Sequence, residues 1–206
     1  MTLATGRQAD EAAGGVAGNE RLTAMTGAVL LVLLAAEGFT LLGLQSMLTL
    51  HFFIGMLLVG PVLLKMGSTG YRFARYYLGA EPYVRKGPPL LPLRVLGPLV
   101  MITSVGVIGT GVLLAFTGPG PSPWLTLHEL FFVAWFVLMT VHVCWYAPQL
   151  PRLLRSGSPQ LARAKATLAG AGQRWLLLAA ALAVGLVIAV ATYHLSGAWT
   201  GGPPHG

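Results

Sequence analysis

The chain has 206 residues, 55% of them hydrophobic and only 9% charged, with a mean hydropathy of +0.71 and a formal net charge of +7. Soluble domains carry about 25% charged residues, so the composition excludes an ordinary water-soluble fold and points to a bilayer. The positive charge sits between apolar runs and not in a basic patch with interleaved aromatics, which argues against nucleic acid and for anionic lipid headgroups as its partner.

Residues 1–21 hold Gly, Ala and mixed charge with no apolar core. They read as a flexible cytoplasmic tail and not as a signal peptide. Five apolar runs follow, at 22–43, 46–66, 93–117, 124–147 and 174–196. Each is close to the roughly 20 residues that cross a hydrocarbon core of about 30 Å. The expected fold is all-α: an integral membrane domain of five transmembrane helices over 22–196, with an extracytoplasmic tail over 197–206. Apart from Arg94 and Arg174 at run edges, the charged side chains in these runs are Glu37, Glu129 and, near one end, Lys65.

Charge placement orients the chain. Arg72, Arg75, Arg85, Lys86 and Arg94 follow the second run, and Arg152, Arg155, Arg163, Lys165 and Arg174 fill the gap before the fifth. Segments 44–50, 118–123 and 197–206 contain no Lys or Arg. By the positive-inside rule the N-terminus is cytoplasmic and the C-terminus extracytoplasmic, in a multi-pass plasma-membrane protein. Trp124, Trp135, Trp145, Trp175 and Trp199 suit an aromatic belt at the membrane interfaces. The basic segment after the second run, with Arg72, Arg75, Tyr76 and Tyr77, reads as a positive-inside anchor or as a docking surface for a redox partner.

Cys144 is the single cysteine, so no intramolecular disulfide forms, and no Cys-x-x-Cys-His motif offers covalent haem attachment. Walker, dinucleotide-binding and iron–sulfur motifs are missing from the sequence, as is an internal repeat of the kind many transporters carry.

The histidines carry the chemistry. His128 and His142 stand fourteen residues apart in the fourth run, and His51 lies in the second. Fourteen helical steps turn through about 1400°, about 40° short of four circles, and rise about 21 Å, so both imidazoles share one helix face. Topology puts His51 and His128 level near the outer surface, with His142 alone near the cytoplasmic side. Imidazole in hydrocarbon needs a partner, and axial ligation of haem iron is one. Gly55, one turn from His51, with Gly38 and Gly43 on the first run, leaves room for a flat macrocycle. His51 and His128 are the candidate axial ligands of a non-covalent haem b; the other reading is a histidine pair hydrogen-bonded between helices. His142 is a candidate ligand of a second haem or a packed residue, with Met25 a sulfur donor that could face it. His194 reads as structural or solvent-facing, and His205 belongs to the tail. Glu37, in the outer third, is a candidate proton relay for a quinol, or a protonated hydrogen-bonding acid. Glu129, next to His128, points about 100° away from it.

His51 on the second helix, with His128 and His142 fourteen apart on the fourth, resembles the bacterial b-type cytochrome superfamily, in particular the membrane cytochrome b subunits of nickel–iron hydrogenases and formate dehydrogenases. The resemblance covers about residues 21–147. It implies a four-helix haem-binding bundle in which the second-helix histidine pairs with the first histidine of the fourth helix, while a first-helix histidine pairs with the later one. The family's Arg-x-x-His-Trp is here Arg21-Leu22-Thr23-Ala24-Met25, so Ala24 replaces the inner ligand and one haem is expected. The stretch from Gly67 to Tyr77, with Arg85-Lys86-Gly87, is similar to uncharacterised actinobacterial membrane proteins of the same superfamily. The expected role is electron transfer between a quinone pool and a partner protein, an oxidoreductase subunit if haem is bound. A haem-free membrane scaffold or assembly subunit is the alternative.

Overall fold

The computed structural model describes residues 2–87, 91–149 and 171–201. Among them every regular element is helical: α1 Thr2–Thr40, α2 Leu44–Tyr77, α3 Glu81–Arg85, α4 Leu91–Thr117, α5 Pro123–Tyr146, α6 Ala171–Thr192 and α7 Gly197–Thr200, with short 3-10 turns at Leu41–Gly43, Ala147–Gln149 and Tyr193–Ser196. The basic segment carrying Arg152, Arg155, Arg163 and Lys165, and the tail from 202 with His205, lie outside the described residues.

Four stretches of helix are long and apolar enough to cross a bilayer: Gly15–Tyr77, Leu91–Thr117, Pro123–Tyr146 and Ala171–Thr200. The first contains both α1 and α2, folded back on each other at Leu41–Gly43. Asn19 Nδ2 donates to the Ser68 carbonyl at 3.0 Å, Lys65 Nζ to the Thr23 carbonyl at 2.7 Å, and Glu37 meets His51 at 3.0 Å. Because the partners converge in sequence toward the turn, the two helices are antiparallel. The opposite end of this hairpin is basic.

Two boundaries differ from those read off hydropathy. Helix α1 runs through 15–21, the last part of the expected tail, because Val16 and Leu22 are buried and Glu20 pairs with Arg72 and Lys86. Helix α2 continues past 66 to Tyr77, so Arg72 and Arg75 sit on a helix and not in a loop. The polar stretch Gly67–Gly70 stays helical because Thr23 Oγ1 and Asn19 tie Ser68 to α1.

Helices α1, α2 and α6 form one layer, α4 and α5 another, and the layers touch little. Within the first, Pro61 has no N–H to give the Leu57 carbonyl. That carbonyl is the one against which α6 packs: a Cβ at Gly185 would overlap it, and a Cβ at Gly60 would overlap the carbonyl of Ala181. Glycines thus bring two backbones together, as small residues do between membrane helices. Within the second layer Gly106 seats the Phe131 ring. Gly118, with φ +70, ends α4 in a left-handed cap whose N–H returns to Leu114 at 3.0 Å.

Large apolar side chains cover the outside. Helix α5 buries no residue, and Leu130, Val133, Phe136, Val137 and Val141 on it are all exposed. An apolar exterior of this extent suits contact with lipid.

Candidate functional site

Between the two layers lies a cavity of about 1690 Å³, walled by α1 and α2 on one side and α4 and α5 on the other. His51, His128 and His142 line it, with Glu37, Lys65, Gly55, Gly111 and Trp135. The cavity runs from the Leu41–Gly43 turn to the basic end, where Arg72, Lys86 and Arg94 reach it.

At the turn end, His51 Nδ1 lies 3.0 Å from Thr40 Oγ1 and 3.0 Å from Glu37 Oε1. The Thr40 hydroxyl has one hydrogen, already donated to the Glu37 carbonyl at 2.5 Å. Toward the imidazole it can only accept. His51 Nδ1 is therefore the protonated nitrogen, and Nε2 keeps its lone pair. Across the cavity the device recurs: Thr110 Oγ1 donates to the Gly106 carbonyl at 2.6 Å and accepts from His128 Nδ1 at 3.1 Å. His128 too keeps its Nε2 lone pair. Its ring lies against Gly111, where a Cβ would stand 3.1 Å from Cε1. The two imidazoles are near enough to act on each other electrostatically.

Glu37 is mostly buried, its side chain 15% exposed, and its Oε2 has no hydrogen-bond partner among the described residues. A buried carboxyl oxygen without a donor is costly. The structure thus ties Glu37 to His51 directly, a contact that depth alone did not reveal.

At the basic end, His142 lines the cavity with its ring 4.8 Å from that of Tyr146. Ala24 lines the cavity as well, and Met25 is not among its lining residues. His194 and Glu129 are exposed. Trp135 is no belt residue: it sits at the cavity wall and donates from Nε1 to Ser104 Oγ at 3.0 Å.

Among the described residues no three His, Cys, Asp or Glu side chains converge as a metal cage. Two imidazole lone pairs across a large apolar cavity suit instead a group that brings most of its own ligands. The chain matches no protein-family model, no curated protein and no solved structure, so the reading rests on this geometry.

Proposed function

We propose that the chain is a membrane b-type cytochrome: five membrane crossings with a cytoplasmic N-terminus, and one haem b held by His51 and His128 near the extracytoplasmic face, passing electrons between a quinone pool and a partner protein. The five crossings come from counting α1 and α2 separately, as the fold-back at Leu41–Gly43 and the charge pattern favour. The observation that carries the haem assignment is the tautomer of both histidines. Two independent threonines hold Nδ1 as a donor, which leaves two Nε2 lone pairs at the same end of one cavity.

A haem at this place would supply one-electron iron chemistry. The chain's own residues do the rest. Thr40 and Glu37 fix the His51 ring, Thr110 fixes His128, and Gly111 gives that ring room. Such partners set ligand orientation and basicity. The cavity walls are mostly apolar. Glu37, whose Oε2 has no partner among the described residues, would accept a proton from a quinol oxidised at this end.

The test is an absorption spectrum of the purified protein, oxidised and then dithionite-reduced, with a pyridine haemochrome assay. A low-spin bis-histidine b-type spectrum at one haem per chain is expected. A folded, colourless protein that takes up no haem overturns the assignment and leaves the scaffold reading. A reporter fused after Gly206 checks the orientation: alkaline phosphatase should be active there and green fluorescent protein dark.

A further inference from the structure

We propose that the basic end of the cavity is a second, separate site, where Lys65 and His142 bind the headgroup phosphate of an anionic phospholipid whose acyl chain lies along the apolar wall. Lys65 follows His51 on α2 by fourteen residues, as His142 follows His128 on α5. The two pairs therefore repeat one level apart, about 21 Å along the helices. Lys65 and His142 both line the cavity and are close enough to interact electrostatically.

Among the described residues Lys65 has no counter-ion. Its ammonium donates to the Thr23 carbonyl at 2.7 Å. Gly27 makes room for it, since a Cβ there would stand 3.0 Å from Nζ. The acid on this part of the cavity wall is Glu20, which already pairs with Arg72, at 3.3 Å, and with Lys86. Arg94 adds another cation to the same wall. A cation in a low-dielectric site is expensive without an anion, and ammonium has donors left over after one carbonyl.

The shape favours a lipid over a free ion. Leu30, Met101, Met139 and Val143 line the same cavity, an apolar surface that inorganic phosphate would leave bare and an acyl chain would cover. Basic pockets between membrane helices on the cytoplasmic side bind anionic headgroups by this combination. The site lies about 21 Å from the His51 level, so it stands whether or not haem binds there.

The experiment measures lipid retention on the full chain purified in uncharged detergent and reloaded with phosphatidylglycerol or phosphatidylcholine, read by native mass spectrometry. The wild type should keep one phosphatidylglycerol through delipidation and lose phosphatidylcholine. Lys65→Met should weaken phosphatidylglycerol retention about tenfold or more, the scale of a lost charge-assisted hydrogen bond, while Lys65→Arg retains it. Equal retention of both lipids, undiminished retention in Lys65→Met, or displacement by millimolar inorganic phosphate overturns the proposal. Should Lys65→Met fail to fold, a photoactivatable acyl chain on phosphatidylglycerol decides with the wild type: cross-links at Met139 or Val143 support the site, and cross-links confined to the outer surface of α5 overturn it. A colourless protein that holds phosphatidylglycerol through Lys65 keeps this inference and loses the haem.

Discussion

The two ends of the cavity are built on the same helices at the same spacing, yet they handle polarity in opposite ways. At the turn end, Glu37, Thr40 and Thr110 satisfy the Nδ1 atoms of His51 and His128 inside the protein. At the basic end, Lys65 donates to a backbone carbonyl and shares the cavity wall with His142. Helix α1 makes the difference. It presents an acid and a hydroxyl at one level, Ala24 and Gly27 at the other. A helix that contributes no imidazole can still decide what two facing histidine levels hold: oriented lone pairs in one place, a cation awaiting an anion in the other.

The largest expected effect separates the levels outright. His51→Ala or His128→Ala should abolish the low-spin haem spectrum or convert it to high spin, whereas His142→Ala should leave it in place. Loss of the spectrum only in the His142 variant would exchange the two levels.

Gly185→Leu should break what both levels share. Its side chain would drive α6 off the Leu57 carbonyl, and overpacking of this kind costs about 1–3 kcal/mol or more. Thermal unfolding in detergent should show the loss, with haem and lipid retention failing together. Failure of one without the other would mean that α6 supports a single level.

Thr110→Val sharpens the turn end. His128 would lose the hydroxyl that accepts from its Nδ1–H and keep the backbone contact at Val107, at about 1–3 kcal/mol. Haem retention in a competition assay should fall about tenfold, the equivalent of about 1.4 kcal/mol, and Thr110→Ser should restore it. Thr40→Val should cost less because the acceptor left to His51 is the Glu37 carboxyl, a stronger one than the backbone carbonyl left to His128. Equal effects of the two valines would deny Glu37 its part in holding the ring.

The smallest effect is kinetic. Glu37→Gln should keep haem content and fold, since the amide retains an acceptor oxygen for His51, while slowing haem reduction by a quinol analogue in stopped-flow measurements. Unchanged kinetics would reduce Glu37 to a positioning residue.

Much of this architecture is legible residue by residue. Apolar runs of bilayer length mark the helices, and the fourteen-residue separation of His128 and His142 puts both rings on one face. The same spacing between His51 and Lys65 is equally visible, but a lysine near the end of an apolar run reads as one whose amine reaches the interface. Thr40 and Thr110 escaped sequence reading for a different reason. A threonine inside a helix ordinarily back-bonds to a carbonyl one turn earlier, and nothing in its neighbours says that its lone pair also faces an imidazole. Trp135 misled because tryptophans in membrane proteins concentrate at interfaces, and its Ser104 partner is 31 residues away.

Hydropathy, helical period and charge asymmetry are sums over neighbours in the chain, so the sequence alone determined that the protein is helical, how long the apolar helices are and which histidines share a face. The tautomers of His51 and His128, the contact of Glu37 with His51, the carbonyl that holds Lys65 and the cavity between the two layers depend on pairs of atoms brought together by glycine contacts, a proline-freed carbonyl and the fold-back at Leu41–Gly43. Those contacts cross from one helix to another, where local pattern carries no information, and the tertiary structure alone decided them.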